Sequence, residues 1–344
     1  MWADGRTDLS IKFLELDILR KSCFEGIRTR LSFMDFSDLI KIESCDLCGH
    51  RTFTPELTVL GWQLQRCSKC SLVFTSPRYS DAYLRTLYTE NFYELASDGE
   101  YFNSQLQTPI QSHIGLAAYA KRKLRKPGKA TSLDIGCGAG RLVAAFAKVG
   151  FNAEGIEPSL KAVDAARNAG LSVRAMDLDE IRHSSYDVIT AMHVLEHTSS
   201  PSAFISACER ILLPSGLLIL EVPNYGCKRA AQLKEHWRPL YPDVHLFQFT
   251  PETLRLLLTK HGFQVVSYKF LGGAIDALPE DEGHSKPDTC STIERRKWTN
   301  HLIGIPWRWR HMIFRIPRAQ RTMQFLYWHL LGKGEFFQII GRKT

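Results

Sequence analysis

The sequence predicts an α/β protein: a parallel sheet with helices on both faces, preceded by a small cysteine-bearing module. Three observations lead there. From Ala130 onward, short apolar runs alternate with stretches of helical spacing, the pattern of strands and crossover helices. One junction, Gly136-Cys-Gly-Ala-Gly140, is a glycine-rich turn between a strand and a helix. Upstream, two Cys-x-x-Cys pairs stand eighteen residues apart.

Taken in order, residues 1–40 form an N-terminal extension with apolar positions at helical spacing (Ile11, Leu14, Ile18, Leu19). Residues 41–78 carry the cysteine pairs, with short runs such as Leu57–Leu60 and Leu72–Phe74 that read as hairpin strands. Residues 79–127 place Tyr79, Tyr83, Leu84, Leu87 and Tyr88, then Ile114 to Tyr119, in a helical linker or lid that Pro127-Gly128 stops. The core spans 128–273. Its expected strands are Thr131–Ile135, Asn152–Ile156, Leu171–Ala175, Tyr186–Ala191, Gly216–Val222 and Phe263–Tyr268. Its expected helices are Gly140–Lys148, Ser159–Ala169, Pro201–Leu212 and Pro251–Lys260. A basic, aromatic insert (274–333) follows, and a last strand, Glu335–Gly341, lies in 334–344.

The glycine turn carries the first chemistry. Glycines let the backbone approach a ligand, and the helix start offers unpaired N–H groups. Position 141 is Arg, not the third glycine of a dinucleotide loop. Asp134 precedes the turn, where a carboxylate repels a pyrophosphate but attracts a cation. Glu157 ends the next strand, placed for two ribose hydroxyls. A nucleoside bearing positive charge fits these features, and S-adenosylmethionine is such a ligand. The plainer alternative is a structural turn with Asp134 as a helix cap.

On these residues the chain resembles the class I S-adenosylmethionine-dependent methyltransferases. Leu133–Gly140 is similar to the family's first motif, Gly155-Ile-Glu157-Pro-Ser to its second-strand acid motif, and Met176-Asp177-Leu178 to the loop that meets the adenine amino group. Tyr186–Ile189, His193–His197 and Leu212–Leu220 are similar to the fourth strand, the turn after it, and the approach to strand five. The resemblance implies a seven-stranded Rossmann-like sheet whose last strand, here Glu335–Gly341, is antiparallel. It also implies a cofactor site made of Asp134, Gly136, Cys137, Gly138, Gly140, Glu157, Pro158, Asp177, Leu178, Met192 and His193.

Cys45, Cys48, Cys67 and Cys70 have the spacing of a zinc ribbon. Four thiolates would close a tetrahedral sphere, so the expected role is structural. Redox-active or simply buried cysteines are the alternative. Gly49 and Ser71 follow the pairs where knuckles need to turn. A four-cysteine module followed by Pro77-Arg78, a tyrosine-rich helix and this core resembles a group of bacterial methyltransferases. Members of that group act on sugars and other small metabolites.

Methyl transfer needs an acceptor in line with the sulfonium, and a hydroxyl acceptor needs a base. His197 and His245 are the candidates, with His193 beside them; a histidine that merely orients a loop is the plainer reading. Glu196 reads as structural. Tyr225, Trp237 and Tyr241 could line an acceptor pocket or simply pack.

An apolar share of 44% and a charged share of 23% exclude a disordered chain, a collagen repeat and a small disulfide scaffold. No uncharged apolar run reaches roughly 18 residues, so no transmembrane helix is expected. Asp4, Asp8, Glu15 and Asp17 argue against a secretory signal and for the cytoplasm. Residues 289–344 carry eleven Lys/Arg and two acids, so the rest of the chain sums to −1 of the net +8. Within them, 295–331 interleaves Trp, Arg and aliphatic residues. That segment suits contact with an anionic membrane surface at the inner membrane, a lid or dimer contact, or single-stranded nucleic acid. The expected acceptor is a hydroxyl of a sugar or glycan precursor. A quinone or lipid O-methyltransferase is the alternative, and an RNA methyltransferase is disfavoured by the module's few basic residues. A non-enzymatic cofactor-binding scaffold is the remaining class.

Overall fold

The structure, a computed structural model, describes residues 39–91, 109–124, 128–181, 185–237, 239–271 and 334–344. The expectations for residues 1–38 and for the insert 295–331 lie outside them.

The first part contains β1 (Leu39–Ile40), β2 (Phe53–Val59), β3 (Trp62–Cys67), β4 (Val73–Thr75) and β5 (Arg78–Tyr79). Next come α1 (Asp81–Thr86), continued by a π turn at Leu87–Asn91, and α2 (Gln111–Leu124). The larger unit runs β6 (Thr131–Ile135), α3 (Arg141–Lys148), β7 (Asn152–Glu157), α4 (Leu160–Asn168), β8 (Val173–Ala175) and β9 (Tyr186–Met192). It continues with α5 (Pro201–Ile211), β10 (Leu212–Pro223), α6 (Lys228–Leu233), β11 (Phe247–Gln248), α7 (Pro251–Lys260), β12 (Phe263–Leu271) and β13 (Phe336–Lys343).

Seven strands form one sheet in the order β12-β13-β10-β9-β6-β7-β8. Strands β8, β7, β6, β9 and β10 are parallel, and β13 is antiparallel to both β10 and β12. The expected antiparallel last strand is therefore present, inserted between β10 and β12. Central strands are buried on both faces, their polar members Ser132, Asp134, Asp187 and Thr190 included. Along β10, Leu218, Leu220 and Val222 join the cluster under α5 and α7, with Phe204, Ile205, Leu254 and Leu258. Leu217 and Ile219 point the other way, toward Ala117 and Ala120 of α2 and Leu142, Ala145 and Phe146 of α3. That alternation puts helices on both faces. Helices α5 and α7 start where the sequence says they should: Ser200 and Thr250 cap them, each followed by Pro at the first helical position.

A second sheet has the order β11-β4-β3-β2, so three strands of the cysteine module take their fourth from the segment leading into α7. Phe74 packs edge-on to Phe53 at 5.0 Å and lies 6.3 Å from Phe247. Strand β11 has only two residues and no periodicity, which is why the sequence hides it. The buried residues of the module (Leu47, Trp62, Leu72, Phe74) belong to the same apolar cluster as β6, β9 and β10. Asp46 adds a polar link. It accepts from Ser200 Oγ at 2.6 Å and from Ser202 N at 2.7 Å, a carboxylate at the start of α5.

Candidate functional site

The glycine turn is clamped to the neighbouring strand: Gly136 N and Cys137 N both donate to Ile156 O, at 2.9 and 3.1 Å. Gly136 has φ +64, and a Cβ there would lie 2.6 Å from Val194 Cγ2; Gly140 has φ +85, and its Cβ would lie 2.6 Å from Leu171 Cδ1. Only glycine fits either position. Glu157 is buried beside the turn; Oε2 accepts from Gly138 N at 2.9 Å and Oε1 from Ser159 N at 3.1 Å. A carboxylate has about four lone-pair sites, so both oxygens can still accept from a ligand. Asp134, 7% exposed, accepts from Thr190 Oγ1 at 2.6 Å. Burial pushes its carboxyl up to about 7, against the Thr190 hydrogen bond and with help from the Glu157 charge.

The other residues expected at the cofactor site border the same sheet edge. Cys137 packs on Gly155, and burial pushes its thiol up. Gly138 donates to Glu157, Pro158 follows it half-buried, and Leu178 is buried. Met192 ends β9 opposite Glu221. Asp177 pairs with Arg85 of α1, Nη1 to Oδ2 at 2.7 Å, and its backbone N–H donates to Glu180 Oε1 at 2.7 Å. Nothing in the residue spacing points to Arg85 as that partner.

A second cluster lies at the end of β9. His193 has φ +55; its Nδ1 is 3.4 Å from Glu196 Oε1 and its Nε2 3.4 Å from Glu221 Oε1. Burial works against protonating the ring, but the two carboxylates outweigh it and raise its pKa to about 10. Glu196 is fully buried, and neither oxygen receives a well-formed hydrogen bond. Burial opposes its charge, yet the protonated His193 beside it holds its carboxyl below the usual range.

His197 sits in a short turn (Leu195–His197), its Nδ1 3.1 Å from Val244 O and 2.8 Å from Tyr88 Oη. His245 Nδ1 lies 2.7 Å from Pro239 O. A carbonyl only accepts, so Nδ1 carries the proton in both rings and Nε2 presents a lone pair. Burial lowers both pKa values, to about 3 for His197, so both imidazoles are neutral. The rings meet edge-on at 4.5 Å. The structure thus brings His193, His197 and His245 around Glu196. Two contributors escaped the sequence reading. Glu196 reads there as structural, and Tyr88 reads as one face of a helix that in fact ends in a π turn. Such turns frequently mark functional sites.

Tyr225 and Trp237 pack with Val59, Leu64 and Val73. Tyr225 Oη also donates to Glu56 at 3.1 Å. Tyr241 stacks edge-on against His245 at 5.3 Å.

In the module, Cys45 and Cys70 Sγ are 3.5 Å apart, as are Cys48 and Cys67 Sγ. Tetrahedral Zn–S bonds of about 2.3 Å put sulfurs about 3.8 Å apart, so the four can hold such an ion with small adjustment. Gly49 and Ser71 have φ +71 and +63 and close the two knuckles by donating to Cys45 O and Cys67 O. Burial pushes the Cys45 and Cys70 thiols up, the latter to about 11. A cation must displace their protons to bind.

Residues 102–268 match the family model described as a methyltransferase domain. The glycine turn and strands β6 to β10 lie within this matched region, which is a methyltransferase domain. Among its relatives are the ubiquinone biosynthesis O-methyltransferases of Bradyrhizobium sp. strain ORS 278 and Agrobacterium fabrum. The first is 32% identical over 106 residues, covering 29% of this chain and 42% of the relative; the second is 30% identical over 148 residues, covering 39% and 59%. The matched segment thus spans about half the length of these curated relatives. Among solved structures, magnesium protoporphyrin IX methyltransferase from Synechocystis PCC 6803, with bound SAH, matches at TM-score 0.44 and 21% identity, over 56% of this chain and 94% of that one. The plantazolicin methyltransferase BpumL matches at TM-score 0.46 and 16% identity, over 76% and 94%. Among the described residues no helix is long and apolar enough to cross a membrane.

Proposed function

We propose that this protein transfers the methyl group of S-adenosylmethionine to a hydroxyl of a small-molecule acceptor. The observation that carries the reading is the buried carboxylate of Glu157, fixed by two backbone N–H groups beside a turn that admits only glycine. Its spare lone pairs take the ribose hydroxyls. Gly136–Gly140 admit the nucleoside, and Asp134 faces the cationic methionine end. Asp177 and Leu178 border the adenine, with Pro158, Met192 and His193 completing the rim. Binding there aims the methyl group at the end of β9, where His197, His245 and Tyr88 converge. The acceptor oxygen attacks in line, the C–S bond breaks, and S-adenosylhomocysteine leaves. A neutral imidazole Nε2 receives the hydroxyl proton, and the Glu196 charge stabilises the imidazolium. His245 and His197 are the two candidates for this base. Cys45, Cys48, Cys67 and Cys70 hold a structural zinc that keeps β4, and through it β11 and His245, in place.

Two acceptor classes follow from separate observations. The module-plus-core arrangement resembles bacterial methyltransferases of sugars and glycan precursors. The relatives' names favour a phenolic hydroxyl of a quinone precursor, presented at a membrane that the basic segment 295–331 would touch. Incubation with radiolabelled S-adenosylmethionine and a panel of nucleotide sugars and dihydroxylated aromatic acids separates them by which one yields S-adenosylhomocysteine. Failure to bind S-adenosylmethionine at all would overturn the whole reading. Sedimentation with anionic vesicles, lost on Trp307→Ala and Trp309→Ala, is the expected signature of the lipid-linked class; nucleic acid is not an expected partner.

A further inference from the structure

We infer that Glu196, His197 and His245 form a second metal site, one that takes a zinc-type divalent cation and leaves a coordination position open. Their ligand atoms all lie within 4.8 Å of one another. The set is two imidazoles and one carboxylate, a combination that suits zinc and its neighbours in the transition series.

Three features single it out from an ordinary buried ion pair. The first is Glu196 itself. It is fully buried, both carboxylate oxygens lack a well-formed hydrogen bond, and the nearest cation is His193 Nδ1 at 3.4 Å. A buried carboxylate left in that state is costly, and coordination is one of the few ways to satisfy it. The second is the orientation of the rings. Each Nδ1 faces a backbone carbonyl, Val244 O for His197 and Pro239 O for His245. Metal-binding histidines use this arrangement to fix the tautomer and aim the other nitrogen. Tyr88 Oη and His193 supply the outer contacts, on His197 Nδ1 and on Glu196. The third is provenance. Glu196 and His197 come from the turn after β9, whereas His245 is fixed two residues before β11, which pairs with the cysteine module. The fold thus uses two separate segments to gather three ligands at one buried point.

This site shares no ligand with the four-cysteine cluster, and its three protein ligands leave room for a fourth. Its catalytic consequence rests on the proposed methyl transfer. With the cation in place, an acceptor hydroxyl at the open position would be ionised by it, with its proton passing to solvent and the imidazoles serving as ligands; the base role of an imidazole Nε2 belongs to the metal-free protein. The presence of the site does not depend on that reaction, and it can be measured without S-adenosylmethionine.

The test uses the full chain without an affinity tag. Metal-free protein is titrated with Zn2+, and bound metal is counted after gel filtration. The expected result is two ions per chain. His245→Gln and Glu196→Gln should each retain one, the cysteine-bound ion. Retention of the cysteine-bound ion also reports that the two histidine-site variants are folded. Substitution with Co2+ gives a second readout. The cysteine site shows sulfur-to-metal charge transfer, and the second equivalent should add absorption without it, lost in His245→Gln. Tyr88→Phe, which removes an outer contact, should weaken the second site about 10-fold, and loss of His245 by more than about 100-fold. One ion per wild-type chain at saturating Zn2+, with no second cobalt band, overturns the inference. Two ions per chain without any binding of S-adenosylmethionine would instead overturn the proposed function and leave this site standing.

Discussion

Asp134→Asn is the most informative single change. Asp134 is 7% exposed and its carboxyl is pushed up from 3.8 to about 7, mainly by burial. The folded state therefore holds a proton that the unfolded chain releases between about pH 4 and pH 7. Stability from this group is fully present below about pH 4 and declines until pH passes about 7, after which it is flat. The full shift of about three pH units corresponds to about 4 kcal/mol at about 1.4 kcal/mol per unit. Two of those units fall above pH 5. Asparagine keeps the shape and the oxygen that Thr190 donates to, but cannot ionise. Guanidinium unfolding at pH 5 and pH 8 should show the variant gaining about 3 kcal/mol on wild type between the two, while its affinity for S-adenosylmethionine falls. Parallel pH curves for the two proteins would refute the claim that the turn buries a strained carboxylate for the sake of a cationic ligand.

Three further changes probe other parts of the molecule. Glu157→Ala should weaken S-adenosylmethionine binding by about 1–3 kcal/mol in calorimetry, since it removes a charged acceptor; unchanged affinity rejects the ribose assignment. Chelation or Cys67→Ser should release the module's ion to a colorimetric indicator and raise deuterium exchange at residues 245–248, because β11 pairs with β4; exchange confined to residues 41–75 would contradict that coupling. Asp46→Ala removes the acceptor of Ser200 Oγ and Ser202 N at the start of α5 and should cost about 1–2 kcal/mol in urea unfolding.

Much of the larger sheet was legible because its central strands are buried on both faces. The apolar-rich runs at 186–191 and 216–222 therefore announce themselves without tertiary help, and 131–135 is marked by the glycine turn that follows it. Strand β8 starts at Val173, not Leu171, because Leu171 is taken up in packing against Gly140. Strands β1, β5 and β11 were invisible, since two residues carry no period. The same limit governs the site. The glycine turn and Glu157 are local signals within one βαβ unit. The gathering of Tyr88, Glu196, His197 and His245 is a product of distant chain segments, and nothing in their spacing foretells it. Arg85 on Asp177 is of the same kind: an exposed helix residue whose partner lies ninety-two positions away.

The placement of β13 has a consequence for how the protein is made. Among the described residues β12 pairs only with β13, and β13 also covers the outer edge of β10. A ribosome must translate all of 272–335 after finishing β12 before β13 emerges. At about 5–20 residues per second that interval lasts several seconds. Throughout it, β10 presents an open edge and β12 has no neighbour, so this is the window in which a holdase chaperone, or the same edge on a neighbouring polysome, competes for the nascent chain.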